Sequence, residues 1–454
     1  MSSGRRDVAR PRATDLRQES GRPMPSEKGR FQMRRTIGWI KPALAAASAL
    51  ALAATGAAAA EKASPGITDT EIKIGGICPS TGPIASFVTI CAMQDAYFKS
   101  INDRDGGVMM GDGKRRKISY VYYDDGYSPP RTVEQARRLV ERDQVALIIG
   151  PLGSATGLAI RDYVNKRGVP QLFVGSGLSA FSTDSKAYPW TIGWQSAYTT
   201  EGSIFAEFVK AKKADAKVAI LYQNDDFGKE LLNAFKHAAE GSGVSVAAAQ
   251  SYEVTSPTVD SQVSNLAATN ADVLLVFAVP KFTAQTLRKV QDTSWRPMVL
   301  VTNISASKKT VMEPAGAEAS EGVYSAIAQM DPTTKNYADT KDIRAYREIG
   351  TKFATSGLNL DDPMTMVGFG QAQTMVAVLE KTKTPTRAGI MESARHLCGV
   401  PVLGLVPGVK ACVDGERDPF YVESMQVVRY SKGSWAPVGD VITKYEGKTP
   451  HQAK

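Results

Sequence analysis

Residues 145–156 read VALIIGPLGSAT, and the two halves of this stretch decide the fold. The first half is a nearly continuous apolar run, too short for a helix and closed by glycine. Such a run is a strand covered on both faces. The second half is a Gly-rich turn that ends on Ser154, where a helical pattern opens. The same strand–loop–helix unit repeats outward. Upstream, residues 71–77 alternate as a strand, and Ile90, Met93, Tyr97 and Ile101 recur at helical spacing before the turn NDRDGG at 102–107. Residues 118–123 form a second strand, closed by Asp124, Asp125 and Gly126. Val133, Ala136, Leu139 and Val140 mark the next helix, and residues 170–174 another buried strand. After a break the pattern restarts, with strands at 217–222, 244–248, 273–277 and 298–301. Helices at 228–240, 261–268 and 282–290 separate them. Residues 343–395 are mainly helical, and 401–441 carry short β-like runs. Strand–helix alternation of this kind predicts an α/β protein with parallel sheets, in two similar units. Ligands of such sheets bind beyond the carboxyl ends of the strands.

Four strand-end loops therefore carry the functional reading: GGICPSTGP (75–83) followed by Phe87, GPLGSAT (150–156), GSGLS (175–179) and NDDFG (224–228). Glycines let backbone approach a ligand. Ser154 and Thr156 stand where a helix N-terminus presents unpaired N–H groups, a geometry suited to a carboxylate. Equally, Ser154 reads as the cap of its own helix. Phe87, Trp194 and Phe227 read either as packing within their own lobes or as walls of an apolar pocket. Asp225 and Asp226 read as turn or capping residues. No GxSxG elbow, HExxH or CxxC occurs, and His237, His396 and His451 are scattered. The sequence supports neither a catalytic triad nor a metal site, and no cofactor motif, so binding without catalysis is expected.

The 454 residues allow more than one domain or lobe. Formal net charge is +9, but residues 1–60 hold eleven Lys/Arg and four Asp/Glu. The rest is nearly balanced, which leaves no nucleic-acid signature. Arg34 and Arg35 precede an Ala/Leu-rich run that ends in Ala58-Ala59-Ala60. This layout predicts a cleavable secretory signal, hence a periplasmic protein, and Met33 is a candidate true start. Four cysteines fit an oxidising compartment. Cys398 and Cys412 bracket a Gly/Pro/Val-rich segment and form a candidate disulfide. Cys78 and Cys91 are either a second pair or two buried thiols.

The segments IKIGGICPSTGP (72–83), INDRDGG (101–107), YYDDGYSPPRTVEQARRLV (122–140), ALIIGPLGSAT (146–156), ILYQNDDFGKE (220–230) and FAVPKFTAQTLRKV (277–290) span most of the chain past residue 60. In this order they resemble the type I periplasmic binding proteins of the branched-chain amino acid (Leu/Ile/Val) group, which deliver solutes to ABC transporters. The resemblance implies two Rossmann-like lobes joined by three crossovers, near 192–197, 322–330 and 397–406. It places the first lobe at 66–194 plus 329–397 and the second at 195–328 plus 398–446, after a leader of 60 residues. It implies a monomer that hands a small-molecule solute to membrane permease subunits. The alternative is a sensory module of the same fold. By position, the resemblance implies that Ser154, with Ala155 beside it, grips a ligand carboxylate. Gly175, Ser176 and Gly177 match the next contact loop, with Gly177 where the family carries a Thr whose hydroxyl is lost unless Ser176 or Ser179 replaces it. Phe87 and Phe227 match the aromatics that cover the ligand, and Tyr198, just past the first crossover, is a further candidate to face the cleft. Asn303 stands where the family carries the acid that pairs a ligand ammonium, and Val279 where it carries a covering Tyr. Tyr127 and Gly153 stand where it carries a first-lobe disulfide. Either Asp225, Asp226 or another acid takes over the pairing of an amino acid's ammonium, or the ligand is a carboxylate with an apolar or aromatic body and no ammonium, which would fit Ser154, Phe87 and Phe227.

Overall fold

The first strand, β1 (Glu71–Ile77), pairs in parallel with β3 (Arg115–Tyr123) on one side and β4 (Leu147–Ile149) on the other. The structure, a computed structural model, describes residues 64–450. The predicted leader and its cleavage site lie outside the described residues. Around β1 grows a six-stranded sheet in the order β2-β3-β1-β4-β5-β6, with β2 (Val108–Met109), β5 (Gln171–Val174) and β6 (Thr191–Gly193). Its strands are parallel except β2, which runs against β3. All residues of β4 and β5 are buried, as an apolar run flanked by helices on both faces requires. Helices α1 (Val88–Asp105), α2 (Pro129–Arg137), α3 (Ser154–Lys166) and the short α4 (Ala180–Thr183) connect these strands. Gly106, in the left-handed region at φ 69°, ends α1 within the NDRDGG turn.

The second sheet has seven strands in the order β13-β12-β11-β10-β9-β7-β8. These are β7 (Lys217–Gln223), β8 (Ser245–Tyr252), β9 (Val273–Phe277), β10 (Met298–Val301), β11 (Tyr324–Ile327), β12 (Gln426–Ser431) and β13 (Ser434–Pro437). The five strands from β7 to β11 are parallel neighbours, and β12 and β13 add antiparallel. Helices α5 (Tyr198–Lys212), α6 (Asp226–Ala239), α7 (Asp260–Ala267) and α8 (Pro280–Gln291) serve this lobe. The helix expected at 228–240 starts two residues earlier because Asp225 caps it, accepting from Gly228 N–H at 3.2 Å.

The helical stretch expected at 343–395 is three helices, Lys341–Lys352, Pro363–Lys381 and Arg387–Arg395, each opened by a side-chain cap from Thr340, Asp362 or Thr386. The helix Pro363–Lys381 returns to the first lobe and packs along α1. Gly368 permits this, since a Cβ there would collide with the Ile90 carbonyl, and Tyr97 meets Phe369 edge-on at 5.4 Å. The chain thus passes between lobes three times: after β6, after β11 and again before β12. The last two passes lie side by side, with Met330 N–H bonded to Gly404 O and Val406 N–H to Ala328 O, both 2.8 Å.

Both cysteine pairs are disulfides. Cys78–Cys91 ties the loop after β1 to α1, and Cys398–Cys412 closes the segment beside the third pass. Among the described residues no helix is long and apolar enough to cross a membrane.

Candidate ligand-binding site

The carboxyl ends of both sheets face one another, and a small enclosed cavity of about 20 Å³ lies between them. From the first lobe come Ile84 and Phe87 after β1, Tyr127 after β3, Leu152, Gly153 and Ser154 after β4, and Gly175 after β5. From the second come Tyr198 at the start of α5, Phe227 after β7, Val279 after β9 and Ile304 after β10. Gln195 from the first crossover and Met364 from the returning helix complete the wall. Twenty cubic ångströms hold about one water, so a solute enters only as the lobes part. A larger groove, about 650 Å³, lies on the outer face of the second lobe between α8 and residues 315–319. It is wide open and sits away from the strand ends where this topology concentrates ligand contacts.

Ser154 is the first residue of α3 and makes no capping bond, so the capping expectation is corrected: the N-cap is Gly153. The Ser154 hydroxyl instead pairs with Ser176 Oγ at 2.8 Å, across the loops after β4 and β5. Burial pushes the Tyr198 phenol pKa up, and the nearby Ser176 and Ser154 hydroxyls and the Gly177 backbone partly lower it. Three hydroxyls thus converge beside the α3 N-terminus, where first-turn N–H groups have no helical acceptor. Gly177 supports this cluster from behind. Its carbonyl accepts from Tyr198 N–H at 2.8 Å, and a Cβ on it would press on the Tyr198 ring and the Ser196 carbonyl.

Tyr127 and Gly153 are neighbours across the first lobe. Gly153 has φ 102°, and a Cβ on it would drive into the Tyr127 ring. The aromatic ring therefore fills the space between the two positions that the resemblance assigned to a disulfide. The Tyr127 hydroxyl reaches across to Gln223 Nε2 at a weak 3.5 Å. Gln223 is fixed by Asp225 Oδ2 at 2.6 Å and by the Tyr252 hydroxyl at 2.9 Å, and Val279 N–H donates to that hydroxyl at 3.2 Å. Opposite, Tyr198 and Phe227 meet edge-to-face at 5.2 Å. Their two rings close the cavity from the second lobe.

Of the residues singled out from sequence, Phe87, Ser154, Gly175, Tyr198, Phe227 and Val279 line the cavity. Ser176 and Gly177 stand directly behind it, and Ala155 follows Ser154 without lining. Trp194 packs inside its own lobe, with Nε1 donating to Thr374 Oγ1 at 3.2 Å. Asn303 is not in the wall either. Its backbone N–H donates to Glu201 Oε1 at 2.7 Å and its side-chain amide to Glu201 Oε2, which also accepts from Thr302 Oγ1 at 3.2 Å. Glu201 is fully buried in α5, and burial pushes its carboxyl up to about 7 despite these bonds. Sequence reasoning missed Glu201, which looks like any helical glutamate. It also missed Ile84, Tyr127, Leu152, Gly153, Gln195, Ile304 and Met364 as cavity walls, Tyr127 and Gly153 having been read only as the places of a missing disulfide. Ile84, Leu152 and Ile304 follow strand ends in the loops or next to positions already suspected, a signal that was there to use. Met364 carries no such signal, because it arrives on a helix far along the chain.

Residues 71–433 match the family model described as periplasmic binding protein. The chain belongs to that family. One curated relative, Leu/Ile/Val-binding protein homolog 3 of Brucella melitensis, is 25% identical over 177 residues, covering 38% of this chain and 45% of its own length. The match thus spans a little under half of that relative. Among solved structures, a fatty acid ABC transporter substrate-binding protein from Thermomonospora curvata aligns over 86% of this chain and 97% of its own, with TM-score 0.72 and 24% identity. An ABC transporter solute-binding protein from R. palustris in complex with 4-hydroxybenzoate aligns over 82% and 97%, with TM-score 0.68 and 16% identity. At these identities the structures establish the type I family fold: two mainly parallel α/β sheets in two lobes, as the sequence led us to expect.

Proposed function

We propose that the protein is the solute-capturing component of an ABC uptake system, and that its solute is a small carboxylate with an apolar or aromatic body and no ammonium group. The wall of the cavity carries this reading. No Asp, Glu, Lys or Arg side chain is part of it. An amino acid would bring its ammonium into a largely apolar space without a carboxylate partner, a cost of several kcal/mol by order of magnitude. A lone carboxylate fares better. The Ser154, Ser176 and Tyr198 hydroxyls and the first-turn N–H groups of α3 offer neutral donors at one end. Phe87, Ile84, Leu152, Met364, Phe227, Val279 and Ile304 surround the remainder with apolar surface.

In this reading the ligand docks on the first lobe through Ser154 and the loop at 175–177. The second lobe then closes and lays Phe227 and Val279 over it, and the closed form engages the permease. The ligand favours closure by the contacts it makes only in the closed state. The protein binds its solute without turning it over, and acts as a monomer in the periplasm after loss of the leader at residues 1–60. Of the relatives, one is named for branched-chain amino acids, one for fatty acids, and one holds a hydroxybenzoate. The wall chemistry supports a solute of the kinds named for the last two.

A thermal-shift screen tests the proposal, setting leucine, isoleucine and valine against benzoates, phenylacetates and short to medium aliphatic acids. Stabilisation by one of the acids, lost on Ser154→Ala, is the expected result. Stabilisation by leucine alone would sink the ligand assignment. N-terminal sequencing of the exported protein tests the leader, with Glu61 expected first.

A further inference from the structure

Outside the cavity, the two lobes also touch through a carboxylate. Glu230 projects from α6 of the second lobe toward Ser179, which follows β5 in the first. The Ser179 N–H donates to both Glu230 oxygens, at 3.1 and 3.2 Å, and its hydroxyl donates to Oε1. Neither residue lines the cavity. We propose that Glu230 and Ser179 form a latch between the lobes and that this latch makes closure take up a proton. The reasoning is geometric. Glu230 loses its water when the first lobe covers it, and no positive charge replaces that water.

The surroundings bear this out element by element. Helix α6 packs against α3, α5, β7 and β9. On α3, Arg161 is paired with Asp184 and Tyr163 with Glu141, while Asp162 and Lys166 stand in solvent. On α5, Glu201 is held by Asn303 and Glu207 by Tyr445 and Lys444, while Lys210 and Lys212 stand in solvent. On β7, the Lys217 side chain is exposed and Tyr222 is half-buried at the far end of the strand, and β9 carries no titratable residue. The one charge that acts on Glu230 is Asp226, on its own helix and of the same sign. Burial, with a smaller push from Asp226, moves the Glu230 carboxyl up to about 7, and the Ser179 bonds offset only part of it.

With the lobes apart, the Glu230 carboxyl returns to water and to its ordinary value of 4.5. Between these two values the closed form holds a proton that the open form releases. Closure is therefore favoured as pH falls from about 7 toward 4.5. Above that window both forms are ionised, and closure bears the full cost of drying a carboxylate. Below it both forms are protonated, and nothing more is gained. The protein would hold its solute more firmly in acidic surroundings and give it up more readily in alkaline ones.

The test needs no ligand, so its outcome is independent of the solute assignment. Small-angle scattering of the protein at about pH 5.5 and about pH 8.5 reports the ratio of closed to open molecules. We expect that ratio to fall on the order of tenfold toward the higher pH, less than the full shift implies because Glu230 keeps a minor exposure to water. Glu230→Gln keeps the contact without the charge and should be as closed at high pH as the parent is at low pH. Glu230→Ala removes both the contact and the charge, so its ratio should no longer change with pH. Ser179→Ala removes one hydrogen bond to the ionised form and should steepen the dependence. Thermal unfolding confirms that each variant folds. A parent profile that is flat, or a Glu230→Gln profile that still follows the parent's, would overturn the proposal.

Discussion

Gly153 shows how much a single missing atom governs. Its backbone sits at φ 102° against the Tyr127 ring. Gly153→Ala both strains the backbone and displaces the ring, so stability should fall by about 1–3 kcal/mol. Chemical denaturation measures it, and Tyr127→Ala in the same chain should recover only the part due to the collision. Glu201 offers a second test at this scale. Its carboxyl stands at about 7 in the folded chain against an ordinary 4.5. The folded chain thus holds a proton in that window that the unfolded chain releases. Its contribution is most favourable below the ordinary value, weakens as pH rises to about 7, and is constant above. Glu201→Gln should therefore raise the melting temperature relative to the parent more at about pH 8 than at about pH 5. An equal difference at both values would show that the carboxyl titrates normally.

Among the elements, strands were legible in the sequence and the wall of the cavity only in part. The strands at 71–77, 273–277 and 298–301 coincide with β1, β9 and β10, because continuous or alternating apolar runs leave little choice of structure. Weak alternation hid the true extent of β8, whose sequence SVAAAQSY ends four residues past the expected strand. Ser154 was legible as a site residue but not in its bonding, since its partner Ser176 belongs to another loop. Asn303 was read by position alone. What decides its orientation is a buried glutamate about a hundred residues earlier. The loop that carries Phe87 is held to α1 by Cys78–Cys91, which closes a short loop of 13-residue separation. Replacing both cysteines by serine should cost about 2–4 kcal/mol and loosen that wall of the cavity. Thermal unfolding gives the first and ligand affinity the second. A variant of full stability but weakened affinity would place the effect of the disulfide on the wall alone.

For the whole molecule, the decisive quantity is the balance between open and closed lobes. The cavity as formed holds about one water, so capture must couple to lobe separation. Titrating the protein with a stabilising acid should lower its radius of gyration, and Phe227→Ala should weaken the acid's affinity by about 1–3 kcal/mol through lost apolar contact. The three passes of the chain between lobes carry one more implication, for synthesis. The first lobe lacks the wall of α1 until the helix Pro363–Lys381 is made, and the second lacks β12 and β13 until residue 437. Neither half is complete while most of the polypeptide is still emerging. A nascent chain built this way gains the last walls of both lobes only as the segment 363–437 emerges, so that segment governs how late the two cores close.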